Sequence, residues 1–135
     1  MPEIDHVGIA VEDLAKAVRE WQCLGFELLG MEEAPEHGVR VALFRAGHSR
    51  VELMEPMGPE SPVARFLSKR GPGIHHIAFS VEGVKATLDE LKAKGVPLVD
   101  QVPRRGAGGT EVAFLHPRGA SGCLVELCEG HEEQP

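Results

Sequence analysis

The chain has 135 residues, 42% apolar and 26% charged, with a net charge of −7, the length and composition of one ordinary globular domain. A negative balance opposes binding along a polyanion, because nucleic-acid affinity comes mainly from cations set against phosphates. No stretch approaches the ~20 apolar residues of a membrane span, so neither nucleic acid nor membrane is an expected partner.

The first expected element is a strand from Ile4 to Val11, whose period of two sends Asp5, Val7, Ile9 and Val11 to one face and His6, Gly8 and Ala10 to the other. A helix follows, capped by Asp13, with Leu14, Ala17, Val18 and Trp21 as an apolar stripe, and Gly25 stops it. Three strands come next, at Glu27 to Glu32, Val39 to Ala46 and Arg50 to Glu55. A turn-rich linker with three prolines, Glu55 to Pro62, precedes a short helix at Val63 to Lys69, and Arg70-Gly-Pro-Gly73 leads onward. The same series then returns. A strand at Ile74 to Val81, a helix striped by Val84, Leu88 and Leu91 and stopped by Gly95, and strands at Pro97 to Val99, Glu111 to His116 and Gly122 to Cys128 complete the chain, with a loose tail expected after Glu129. The helix at Val84 has the weaker start signal, Glu82-Gly83.

The return is residue by residue. An offset of 70 aligns His6 with His76, Val11 with Val81, Glu12 with Glu82, Glu20 with Glu90, Gly25 with Gly95 and Leu28 with Leu98, and an offset of 74 aligns Val51-Glu52-Leu53 with Val125-Glu126-Leu127. The extra length falls in a longer hairpin turn, His116 to Gly122, where insertion is tolerated. The expected organisation is a single α+β domain over residues 1–135: a βαβββ module at 4–55, a linker with a short helix at 56–73, and a second βαβββ module at 74–129. The two mixed sheets are expected to curl into an open, barrel-like cleft.

Parity along the strands places each histidine on a face of small side chains, Gly8 and Ala10 beside His6, Ala78 and Ser80 beside His76. Glu52 and Glu126 likewise point away from the helix side occupied by Val51, Leu53, Val125 and Leu127. A single strand histidine is more often a hydrogen-bonded residue than a ligand, and a single strand glutamate usually meets solvent. Recurrence of both in both copies favours a metal site of His6, Glu52, His76 and Glu126, because a buried carboxylate without a partner is costly. Two neutral imidazoles and two carboxylates suit Zn²⁺, Mn²⁺, Co²⁺, Ni²⁺ or Fe²⁺ and leave an octahedral ion two open positions, which makes the expected site catalytic. His75 belongs to the opposite face and is the weaker candidate.

At these residues the sequence resembles the vicinal oxygen chelate superfamily and, within it, the methylmalonyl-CoA epimerase family. The resemblance runs from about Ile4 to Glu129 through His6-Val-Gly-Ile-Ala-Val11, Pro35-Glu-His-Gly-Val39, Val51-Glu-Leu53, Ser61-Pro-Val-Ala-Arg-Phe-Leu67, Gly73-Ile-His-His-Ile77, Phe114-Leu-His-Pro117 and Leu124-Val-Glu-Leu127. It implies interconversion of the C2 epimers of methylmalonyl-CoA by metal-assisted proton transfer through an enolate. One divalent ion per site is implied, with Co²⁺ favoured among several. It also implies Glu36 as one acid/base group and Glu126, besides its ligand role, as the other. Some epimerases of this family carry glutamine where this sequence has Glu52.

The implied partners are a small acyl-CoA substrate and a second copy of the chain, as a homodimer; Lys69, Arg70, Arg104 and Arg105 are cations available to CoA phosphates, and His37 and His116 are further candidates for substrate contact. The ligand pattern is shared with glyoxalase I, so a lactoylglutathione lyase is the alternative enzyme, and a non-catalytic small-molecule binder on the same fold is the alternative from another class. Cys23, Cys123 and Cys128, an odd number without a CxxC, are expected to be structural thiols in a reducing compartment. With no secretory or organellar signal in the opening residues, a cytoplasmic location is expected.

Overall fold

Asp13 and Gly83 stand at equivalent places in the two copies, and each opens a helix of ten residues. In the computed structural model, which describes residues 2–106 and 110–130, the first copy comprises β1 (Glu3–Ala10), α1 (Leu14–Cys23), β2 (Glu27–Ala34), β3 (Val39–Ala46) and β4 (Ser49–Pro56). A linking helix, α2 (Pro62–Arg70), leads to the second copy: β5 (Gly73–Ser80), α3 (Val84–Ala93), β6 (Arg104–Arg105), β7 (Glu111–Leu115) and β8 (Val125–Cys128). This is the expected α+β chain of two βαβββ modules. Residues 131–135, most of the expected loose tail, lie outside the described residues.

By packing, the described chain falls into two compact units, His6–His75 and the residues from His76 onward together with those before His6. In the first unit the strand order is β2-β3-β4-β1, antiparallel except for the parallel pair β4 with β1. In the second, β6, β7 and β8 are antiparallel neighbours and β8 runs parallel to β5. Parallel neighbours need a crossover connection, and here α1 and α3 stand within those crossovers.

Strand alternation decides which face each helix covers. Ala42, Phe44, Val51 and Leu53 pack under Val11, Leu14, Ala17 and Val18, with Ile9, Trp21 and Phe26 at the margin; the Trp21 ring lies 5.1 Å from Phe26 and 6.4 Å from Phe44. The opposite face holds Ala10, Val39, Val41 and Met54, and α2 covers these through Val63, with Phe66 and Leu67 packed alongside. In the second unit Val84 and Leu88 of α3 lie on Ala113 and Leu127. The two helix starts differ as their sequences predict. Asp13 Oδ1 accepts the Lys16 N–H at 3.1 Å, and Glu55 Oε2 accepts the Leu14 N–H at 2.8 Å, whereas Gly83 offers α3 no side-chain cap. After both helices a glycine takes the left-handed conformation, Gly25 at φ 97° and Gly95 at φ 77°.

One expected strand is reduced. Pro97 to Val99 forms only a bridge, Leu98 opposite Leu115, and β7 is instead partnered further along by β6, with Arg104 opposite Val112 and Arg105 opposite Glu111. Pro97 and Pro103 lack the N–H that a ladder requires. Between them Asp100 substitutes side chain for backbone: its Oδ2 accepts the Phe114 N–H at 2.8 Å, while Val99 and Asp100 N–H both donate to the Phe114 carbonyl, at 3.0 and 3.1 Å. None of the three cysteines forms a disulfide; Cys128 is buried and Cys23 exposed. No helix among the described residues is long and apolar enough to cross a membrane.

Candidate metal centre

Each unit contains one buried histidine beside one glutamate, and the backbone brings them together in the same way twice. In the first, the parallel pair of β1 and β4 sets Gly8 opposite Glu52, so Glu52 shares a face with His6, and His6 Nδ1 lies 2.9 Å from Glu52 Oε2. In the second, β5 and β8 set Ala78 opposite Glu126, and His76 Nε2 lies 3.3 Å from Glu126 Oε1. The small residues Gly8 and Ala78 leave the imidazoles room between histidine and glutamate. The second pair is the more enclosed, its side chains 6% and 11% exposed against 10% and 23% in the first.

An ion would fix the spacing of its donor atoms. Two ligands each ~2.1 Å from a metal stand ~3 Å apart at right angles and ~3.4 Å apart at a tetrahedral angle; the spacings of 2.9 and 3.3 Å lie within that span. Each pair's spacing therefore fits two neighbouring ligands of an ion, and each pair also satisfies polar groups that burial would otherwise leave costly.

Around His76 lies an arrangement that strand periodicity alone does not reveal. Phe114 is opposite Glu126 across β7 and β8, and its ring meets His76 edge-on at 5.8 Å. The Arg104 guanidinium sits over the same ring at 5.3 Å, held by Asp100, whose Oδ1 is 3.1 Å from Arg104 Nε. Phe114-Leu-His-Pro117 carries part of the family resemblance, which was the one signal in the sequence for Phe114; Asp100 had none.

The other sequence candidates are dispersed. His75 is turned from the His76 side by alternation and packs edge-on against Phe66 of α2 at 5.0 Å, where burial pushes its imidazole pKa below the usual value. Glu36 stands exposed on a single 3₁₀ turn, Pro35–His37, between β2 and β3. His37 is exposed on the same turn, and His116 Nδ1 accepts the Arg118 N–H at 3.0 Å, capping the 3₁₀ turn Pro117–Gly119. Lys69, Arg70, Arg104 and Arg105 are exposed, with Arg70 over the Phe66 ring at 5.7 Å.

Comparison with known proteins places this chain among relatives. The model of the Glyoxalase/Bleomycin resistance protein/Dioxygenase superfamily matches residues 5–114. An uncharacterized protein of Bacillus subtilis (strain 168) is 43% identical over 99% of this chain and 96% of its own length. The ethylmalonyl-CoA/methylmalonyl-CoA epimerase of Cereibacter sphaeroides is 42% identical over 92% of this chain and 95% of its own. Among solved structures, a Streptomyces coelicolor methylmalonyl-CoA epimerase in complex with 2-nitronate-propionyl-CoA superposes with a TM-score of 0.89 at 38% identity, covering 98% of both chains.

Proposed function

This chain belongs to the glyoxalase/bleomycin resistance protein/dioxygenase superfamily, and from that premise we propose that it is an isomerase interconverting the (R) and (S) epimers of methylmalonyl-CoA. The observation that carries the proposal is likeness to epimerases along nearly the whole of both chains, at 38% and 42% identity. The His–Glu pair present in each unit supports it independently.

The proposed ligand set is His6, Glu52, His76 and Glu126, the two pairs serving one divalent ion whose charge the two carboxylates balance. Co²⁺ is the expected ion. C2 of the substrate lies between a thioester and a carboxylate, so losing its proton drives negative charge onto the thioester oxygen. These residues would hold a divalent ion, which would supply Lewis-acid stabilisation of that charge. Inversion then requires proton removal on one face and delivery on the other. Glu36 takes one role: its carboxylate is exposed on the turn Pro35–His37, within the Pro35-Glu-His-Gly-Val39 segment that carries the family resemblance. Glu126 takes the other while also serving as a ligand. The family also carries the expectation of a homodimer, and three cysteines outside any disulfide suit the expected cytoplasmic setting.

The test is deuterium incorporation at C2 of methylmalonyl-CoA in D₂O, comparing purified protein, chelator-stripped protein and protein restored with Co²⁺. Exchange that is lost on stripping and regained with metal is the expected result. Absence of exchange in a verified, metal-loaded sample would reject this substrate and redirect the search to the hemithioacetals of glyoxalase chemistry. Glu36→Gln is expected to bind metal normally yet lose turnover by ~10²–10⁴, the usual worth of a positioned acid/base group; near-normal turnover would remove Glu36 from the mechanism.

A further inference from the structure

We infer that Ser61 is a positioning residue for Glu36, holding from the start of α2 the turn that carries it; this rests on the reading of Glu36 as an acid/base group. Glu36 has no side-chain partner among the described residues, so its place is set by the backbone of Pro35–His37. That turn closes with the Gly38 N–H donating to the Pro35 carbonyl at 3.0 Å, and Gly38, at φ 69°, redirects the chain into β3. Two contacts then fix Gly38. Its carbonyl accepts the Met57 N–H at 2.8 Å, beyond the end of β4. On the α2 side a Cβ built on Gly38 would stand 3.3 Å from Ser61 Cβ, 3.5 Å from its Oγ and 3.6 Å from its Cα, so the two backbones meet with only the serine side chain between them.

Ser61 is itself buried and hydrogen-bonded on both sides of its backbone. It is 6% exposed, its Oγ accepts the Val63 N–H at 3.2 Å as the N-cap of α2, and its carbonyl takes the Arg65 N–H at 3.1 Å. Val63 anchors the same turn of helix in the cluster formed with Val39 and Val41. The segments Pro35-Glu-His-Gly-Val39 and Ser61-Pro-Val-Ala, well separated along the chain, thus form one mechanical unit in which Ser61 supplies both a cap oxygen and a Cβ of the size that fills the gap over Gly38. Displacing an acid/base group by about 1 Å is enough to cost rate without cost to binding.

The two jobs of Ser61 separate by substitution. Alanine keeps the Cβ and removes the cap oxygen; glycine removes the Cβ and is tolerated at an N-cap better than alanine. Steady-state epimerisation and thermal melts are measured for Ser61→Ala, Ser61→Gly, Gly38→Ala and Glu36→Gln in the metal-loaded protein. Ser61→Gly is expected to lose kcat about tenfold or more with KM within about twofold, while Ser61→Ala melts lower than Ser61→Gly yet keeps kcat within about twofold. Gly38→Ala, which leaves the cap untouched, is expected to lose kcat like Ser61→Gly. Full kcat in Ser61→Gly, or equal losses in Ser61→Ala and Ser61→Gly as a cap alone would give, overturns the assignment; if Ser61→Gly does not fold, full kcat in Gly38→Ala overturns it. Glu36→Gln separates the two readings. Normal turnover there rejects Glu36 and Ser61 together, whereas a dead Glu36→Gln beside a fully active Ser61→Gly rejects Ser61 alone.

Discussion

The two copies of the βαβββ unit agree at their inner strands and part company at their outer ones. Gly8 faces Glu52 and Ala78 faces Glu126 in the same parallel register, each two residues beyond its histidine. Moving outward, the first copy has β2 and β3 paired along strands of eight residues, whereas in the second β6 has two residues and Asp100 takes the Phe114 N–H with its side chain. The residue opposite the glutamate is Leu43 in the first copy and Phe114 in the second. Even the histidines differ in the ring nitrogen that meets the carboxylate, Nδ1 for His6 and Nε2 for His76. The inner pair is what the proposed ligand set would require to recur, since a one-residue slip would send histidine and glutamate to opposite faces. The outer strands are free to specialise.

That asymmetry gives the largest expected effect. If Glu126 is both ligand and acid/base while Glu52 is a ligand only, Glu126→Gln should lower kcat by ~10³ or more and Glu52→Gln by about tenfold or less, since an amide oxygen can still coordinate. Equal losses in steady-state epimerisation would make the two copies functionally equivalent and remove the second role from Glu126.

A smaller effect is expected where the aromatic replaces the aliphatic. Phe114→Leu, which makes the second copy like the first, should weaken Co²⁺ binding by about tenfold, near the low end of what outer-shell support is worth, in a competition titration against a chelator. Unchanged affinity would reduce the contact of Phe114 with His76 to packing. The smallest effect lies at the helix starts. Asp13→Ala should cost about 1 kcal/mol in chemical denaturation, whereas Gly83→Ser, placing a cap where α3 has none, should add a few tenths. A Cβ at Gly83 would meet only Ala86 Cβ, at an ordinary 3.7 Å. A loss from Gly83→Ser would show that α3 starts on other terms than α1.

Much of this was legible in the sequence because the periods involved are local. The stripe Leu14, Ala17, Val18 lies buried against Phe44 and Leu53 as helical spacing predicted. Ala10 and Met54 lie in a cluster separate from the one holding Val51 and Leu53, which is what alternation required for His6 and Glu52 to share a face. Asp13 caps α1 and Gly83 leaves α3 uncapped, also as written in those two residues. The strand expected at Pro97 to Val99 fared worse, since apolar residues between two prolines resemble a strand until the ladder donors are counted.

What the sequence by itself determined is the duplication, the order of elements, and the faces on which histidines and glutamates stand, because these follow from chain identity and from periods of 2 and 3.6 residues. Only the tertiary structure decided that Phe114 lies against His76, that Asp100 ties Arg104 above it, and that Gly38 rests on Ser61. The contacts of Phe114 with His76 and of Gly38 with Ser61 join residues 38 and 23 positions apart, where no local period reaches, and Asp100 and Arg104, though four apart, meet Phe114 only through the irregular pairing beside β7, so the packing of one element against another sets the distance.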